Sequence, residues 1–231
     1  MNAMPDETPG TPRTGTPGTG SPHVVVTAGP TREHLDDVRF LTNASTGRMG
    51  HEIARAAHRR GARVTLVLGP SDLPALEGVE TVDVVSTEDL LRETRHAAKG
   101  ADLVVFAAAP SDWRPTRRRR GKPPREGDDV TLRLRATPDV AKSLRARKGD
   151  RIHVGFALEV GGGETRARMK IAQKGLDAIV LTGLENMGAG GGEVFWIPRE
   201  GALDPLPADS KARTAEAIVE RAWALLAARS A

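Results

Sequence analysis

Asn43, Ser45, Gly47 and Gly50 fall in one stretch, "TNASTGRMG" (residues 42–50), shortly after the strand-like "HVVVTAG". Small polar residues and glycines between a strand and a helix let backbone N–H groups approach an anion, because the first turn of a helix leaves such donors unpaired. The stretch therefore points to a phosphate. A bland reading stands beside it: Gly50 could serve tight helix-to-strand packing, and Ser45 could be a helix N-cap. The dinucleotide fingerprint is absent, since only Gly47-x-x-Gly50 resembles its second half, and no Gly-Lys-Ser/Thr phosphate loop occurs. Nicotinamide oxidoreductase and phosphate-loop ATPase readings lose support accordingly.

Unusual residues also follow four runs of strand character, the first of them "HVVVTA" itself. "TAGPTRE" carries Gly29, "AAAPSDWRP" carries Ala109 and Asp112, "GFALE" carries Phe156, and "LTGLEN" ends a sixth strand. Ligands of open α/β sheets bind at the carboxyl ends of strands, so this clustering is the main functional signal. Asp112 could equally cap its own loop. Lys211, in "DSK", stands at the start of the last helical pattern and could be an ordinary first-turn residue. His34, His51 and His153 read as surface or packed residues; no His or carboxylate cluster has metal-ligand spacing.

The elements that must position these groups alternate in type. "HVVVTA", "RVTLVLG", "TVDVV" and "DLVVFAAA" are short β-branched or apolar runs, separated by the helical patterns "GRMGHEIARAAHRRG" and "TEDLLRETRHAAKG". The expectation is an α/β, three-layer Rossmann-like fold, with a mostly parallel sheet covered by helices on both faces. Ile53, Ala56 and Ala57 keep the spacing of a buried helix face, and Gly61 suits its C-cap. Residues 110–129 have no apolar period and read as a mobile loop. "VTLRLRA" then alternates like a half-exposed strand, and "TPDVAKSLRARKG" opens a helix with Thr137 as N-cap and Pro138 at its first position. "RIHVGFALE", a helix near 164–174, "DAIVLTG", a glycine-rich loop at 183–192, "EVFWIP" and a C-terminal helix capped by Asp209 or Ser210 complete the pattern.

Residues 1–22 are Pro, Gly, Thr and Ser with little to bury and read as a disordered tail, leaving one domain over 23–231. The 231 residues include no Cys, which excludes a disulfide framework, a thiolate metal site and a Cys nucleophile. No apolar run approaches the roughly 20 residues of a membrane span, and a cytoplasmic protein is expected. Net charge is only +4, but Arg117 to Arg120 are consecutive. Without interleaved aromatics or a basic helical face, this run is a weak case for nucleic-acid binding.

The motifs taken in order identify a family. "TAGPTREHLDDVRFLTNASTGRMG", "AAAPSDWRP", a lysine ten residues beyond that Asp, "TPDV", "VGFALE" and the late "DSK" resemble the phosphopantothenoylcysteine synthetases, or phosphopantothenate–cysteine ligases, over about 23–228. The resemblance implies a Rossmann-like homodimer that joins 4′-phosphopantothenate to cysteine in coenzyme A synthesis. It also implies CTP with Mg²⁺ and an acyl-cytidylate intermediate. Lys122 matches the family lysine on the nucleotide phosphates, and Asn43 the asparagine that donates to the acyl oxygen. Asp112 matches the Asp near the nucleotide sugar or base, and Phe156 the base pocket. Arg39 fits an anchor for the acidic substrate, unless it pairs with Asp36 or Asp37. In many bacteria the domain follows a flavin-dependent decarboxylase that needs a catalytic Cys, so no flavin is expected here and any decarboxylase would be a separate partner.

Departures from the family pattern are as plain. "AAAPSDWRP" stands for the usual "AAAVADWRP", "KPPR" for "KIKK", and Leu181-Thr182-Gly183 for an Ala-Asn-Asp triplet. They leave a second reading open, a relative that binds nucleotide as a sensor or scaffold without turnover.

Overall fold

The structure is a computed structural model and describes residues 20–125, 127, 129–159, 163–186 and 192–230. In chain order its elements are β1 (His23–Ala28), β2 (Arg32–His34), β3 (Phe40–Thr42), α1 (Arg48–Arg59), β4 (Arg63–Leu68), β5 (Glu80–Asp83), α2 (Thr87–Ala97), β6 (Leu103–Phe106), β7 (Trp113–Pro115), β8 (Leu134–Ala136), α3 (Val140–Leu144), β9 (Ile152–Leu158), α4 (Gly163–Lys174), β10 (Ala178–Thr182), β11 (Val194–Pro198), β12 (Asp204–Leu206) and α5 (Lys211–Ser230). Eight strands form one sheet in the order β12-β11-β10-β9-β6-β1-β4-β5. The run from β10 to β5 is parallel, and β11 and β12 add antiparallel at one edge.

Alternation along β1 divides the core. Val24, Val26 and Ala28 join the cluster under α1 and α5, while Val25 joins the opposite cluster under α2, α3 and α4. The sheet is thus sandwiched, as the continuous apolar strands require, because a parallel sheet with crossover helices has no face left for water. Helix α1 buries Ile53, Ala54, Ala56 and Ala57 against it. Its end follows the sequence expectation: Arg60 is the C-cap and Gly61 turns away at φ 87°. Helix α2 starts in a capping box, in which Ser86 accepts from Asp89 N–H and the Asp89 carboxylate accepts in return.

Three local expectations are corrected. Residues 110–129 are not without regular structure: Trp113–Pro115 pairs antiparallel with β8 in a two-stranded ribbon. The strand expected over "VTLRLRA" shrinks to Leu134–Ala136. Its alternation is real, but Val130, Leu132 and Leu134 are exposed, so among the described residues no second surface covers the face it creates. The helix after it is capped by Asp139, which accepts from Lys142 N–H, and not by Thr137. The Thr137 hydroxyl is committed elsewhere, donating to the Ser111 carbonyl at 2.6 Å. Ser210, whose Oγ accepts from Arg213 N–H, is the α5 cap. The proposed tail falls outside the described residues except for its last three positions, and the first strand begins at His23.

Candidate active site at the carboxyl ends of β1 and β6

Strand β1 has β4 on one side and β6 on the other, so the chain winds outward in both directions from it. A crevice opens where such a sheet reverses its winding. Here it is a cavity of about 510 Å³ between the α1 entry loop, the loop after β6, and residues of β9 and β10. Asn43, Ser45, Gly47, Ala109, Asp112, Phe156 and Lys211 line it, bringing together residues from distant parts of the sequence. A smaller cavity of about 220 Å³ adjoins it, shares Asp112 and Phe156, and is bounded further out by Thr137 and Lys174.

The floor of the entry loop is built from close backbone contacts. Gly47 is the α1 N-cap at φ 77°, and a Cβ there would lie 3.0 Å from Gly29 Cα. Gly29, at φ 79°, would in turn meet Gly69. A Cβ on Gly50 would come within 2.5 Å of Ala28 Cβ, so the packing role foreseen for that glycine is present. Ser45 does not cap the helix; its Oγ accepts from Gly47 N–H at 3.3 Å. The α1 N-cap makes no side-chain hydrogen bond and its first turn holds no acidic residue.

Asn43 points across the crevice. Its Nδ2 donates to the carbonyls of Ala109 at 3.3 Å and Pro110 at 2.9 Å. Ala109 N–H donates to Gly29 O at 2.9 Å, so the two loops are joined by backbone as well. Lys211 Nζ donates to the Asn186 carbonyl at 3.0 Å. Burial pushes its pKa down, and the neighbouring Arg48 charge pushes it further.

Arg39 and Lys122 stand outside both cavities. Arg39 pairs with Asp36 at 2.6 Å, the bland alternative, and its Nη2 donates to Pro123 O at 3.4 Å. Asp36 accepts the Arg39 and Val38 N–H groups as well, and these bonds, led by the Arg39 N–H, hold its carboxyl down at about 2. Lys122 is exposed. The residue before it is pinned, because Gly121 N–H donates to Asp37 Oδ2 at 2.7 Å and Asp37 N–H donates to Gly121 O at 3.2 Å.

Sequence reasoning missed Arg48, which lines the main cavity opposite Lys211. The signal was present: a cation at the first position of a helix sits at the positive end of the dipole and needs an anion to be favourable. Thr182 and Asn186 also line the cavity, and Lys174, paired with Asp139 at 3.1 Å, lines the smaller one.

Comparison with known proteins covers nearly the whole chain. Residues 20–225 match the family profile described as DNA/pantothenate metabolism flavoprotein C-terminal domain. The Coenzyme A biosynthesis bifunctional protein CoaBC of Bacillus subtilis (strain 168) is 39% identical over 208 residues, which is 88% of this chain and 51% of that protein. The crystal structure of the C-terminal domain of a Coenzyme A biosynthesis bifunctional protein CoaBC has a TM-score of 0.79 at 31% identity, covering 93% of this chain and 100% of that one. A Cab2 mutant in complex with phosphopantothenate-cysteine has a TM-score of 0.71 at 17% identity, covering 90% of this chain and 87% of that one, a likeness of fold. The chain spans about half the length of the curated relatives it matches.

Proposed function

The chain belongs to the DNA/pantothenate metabolism flavoprotein C-terminal domain family, that of the phosphopantothenoylcysteine synthetases, and we propose that it ligates 4′-phosphopantothenate to cysteine at the expense of CTP. The observation that carries this reading is the single crevice in which Asn43, Asp112, Arg48 and Lys211 converge. In the first half reaction a substrate carboxylate oxygen attacks the α-phosphorus of the nucleotide, forming the acyl-cytidylate and expelling pyrophosphate. Arg48 and Lys211 meet the charge gathering on the pyrophosphate, which preorganised cations stabilise in a water-poor site. In the second, the cysteine amine attacks the acyl carbon, CMP leaves, and the amine loses a proton. Asn43 donates to the carbonyl oxygen as it gathers charge, its Nδ2 leaving the Ala109 and Pro110 carbonyls to do so.

Asp112 is the one carboxylate among the described residues lining the main cavity. A divalent metal would therefore be held largely by the triphosphate itself and would neutralise phosphate charge there. The shared wall of the two cavities, Asp112 and Phe156, suits the nucleoside, with Phe156 offering an apolar surface to the base.

We assign the uncovered apolar face of Val130, Leu132 and Leu134, together with exposed Val38 and Trp113, to a homodimer contact. Sedimentation should give twice the chain mass for the wild type and the chain mass for Leu132→Asp. A wild type that sediments as a single chain rules the dimer out.

The direct test is pyrophosphate release by the purified protein with Mg²⁺, 4′-phosphopantothenate and CTP or ATP, with and without cysteine, and mass detection of the conjugate. Conjugate made with CTP supports the ligase, and conjugate made only with ATP corrects the nucleotide. Nucleotide binding without pyrophosphate release would make this a binding relative and move attention to Leu181-Thr182-Gly183.

A further inference from the structure

Thr31 is fully buried and lines neither cavity, yet it touches both loops that carry the site. Its carbonyl accepts from Thr42 Oγ1 at 2.8 Å, one residue before Asn43. Its hydroxyl oxygen accepts from Ser111 N–H at 2.9 Å, one residue before Asp112. The same hydroxyl lies 2.9 Å from Thr87 Oγ1, and the Thr87 hydroxyl reaches the Ser111 carbonyl at 3.4 Å.

Counting donors fixes the directions. Each threonine hydroxyl has one proton to give. If Thr87 donates to the Ser111 carbonyl, Thr31 donates to Thr87, and the Ser111 N–H closes the ring on Thr31. Every buried donor is then used. The ring holds the residue beside Asp112 from below, while Thr137 holds the turn from the other side through its hydroxyl to Ser111 O and its N–H to Asp112 O at 3.0 Å.

We propose that Thr31 is a positioning residue that fixes the Asp112 turn relative to the Asn43 loop through this ring with Thr87 and Ser111. The proposal rests on the reading of the crevice as a nucleotide site. The two loops stay joined without the Thr31 hydroxyl, through the Pro30–Ala109 bridge and the Asn43 amide. What the hydroxyl adds is the placement of one turn. Its loss leaves a buried N–H without an acceptor, and the turn relaxes toward solvent to satisfy it.

The test is CTP binding with Mg²⁺ by calorimetry on the full chain, well below the unfolding midpoint of each variant. Thr31→Val should weaken CTP about tenfold, the size of one buried hydrogen bond. Thr31→Ser, which keeps the hydroxyl and loses the methyl, should bind within about twofold of wild type. Thr87→Val removes the other arm of the ring from a side chain that lines neither cavity, and should weaken binding in the same direction; it serves if Thr31→Val does not fold. Thr65→Val is the control for stability alone, since Thr65 is buried and bonded to His23 and Glu80 away from the crevice. If the Thr31 and Thr87 variants lower the melting temperature like Thr65→Val and bind CTP as wild type does, the positioning role is overturned. A wild type that binds no nucleotide overturns the reading of the site, and this proposal with it.

Discussion

The Asn43 side-chain nitrogen lies 2.9 Å from the Pro110 carbonyl oxygen, so the residue expected to serve the reacting acyl group also braces the opposite wall of its own site. The two roles make different demands. A brace needs only a donor to the 109–110 carbonyls, whereas the acyl role needs that donor free to meet a developing oxyanion. Asn43→Asp keeps the shape and sets a carboxylate against two carbonyl oxygens. We expect the acyl-nucleotide to form and then wait, with cysteine attack slowed by about 10²–10³. Quenched-flow mass analysis of the intermediate checks this. Product formation at the wild-type rate would confine Asn43 to the brace.

Arg48 gives a prediction in which stability and function move oppositely. It occupies the first position of α1, and no described residue gives its guanidinium an ion pair. Removing a cation from that end of the dipole should stabilise the folded protein by about 0.3–1 kcal/mol. Arg48→Gln should therefore melt higher and bind nucleotide about tenfold or more weakly, as losing a charge-assisted bond implies. Melting curves with and without nucleotide report both. A variant that is destabilised and binds normally would place Arg48 among surface residues.

Much of this is legible in the sequence. Continuous apolar runs such as Val24 to Val26 identify buried parallel strands, and their carboxyl ends located the crevice. The short β2–β3 and β7–β8 ribbons were not legible, because strands of three residues show no period. They are held by long-range contacts such as the Arg32 N–H to the Val85 carbonyl at 2.8 Å and the Arg114–Glu88 pair at 2.8 Å. The cap of α3 was misplaced by one local rule overriding another: Thr-Pro is a good helix start, but the Thr137 hydroxyl serves a residue distant in sequence. Arg48 lies in the most informative stretch of the chain, where its glycine and small polar neighbours already account for the pattern.

Lys122 tests whether the crevice closes. Its segment is tied to Asp37 through Gly121 and through Arg118 at 2.9 Å, and we expect these contacts to break when the lysine reaches the cavity. Lys122→Ala should lower the rate of acyl-nucleotide formation by about 10²–10³ while the melting temperature holds. Asp37→Ala, which unpins the segment, should leave that rate intact or raise it. If Lys122→Ala turns over normally, the lysine is a solvated loop cation.

His153 gives a prediction for acid stability. It is fully buried on β9, its ring packs edge-on against Phe106, and neither ring nitrogen has a hydrogen-bond partner among the described residues. Burial, reinforced by the Lys148 charge, lowers its pKa from 6.5 to about 4. The unfolded chain therefore takes up this proton first as pH falls, and stability drops through the window from 6.5 to about 4. The full loss is about 3 kcal/mol, from about 1.4 kcal/mol per pH unit. Above pH 6.5 both states are neutral at this position and it contributes no slope. His153→Leu removes the titration and two unpaired buried nitrogens, so it should be at least as stable as wild type at neutral pH and lose less stability on acidification. Urea midpoints measured from pH 7 to pH 4 decide the matter: parallel decline of wild type and variant would overturn the role given to His153.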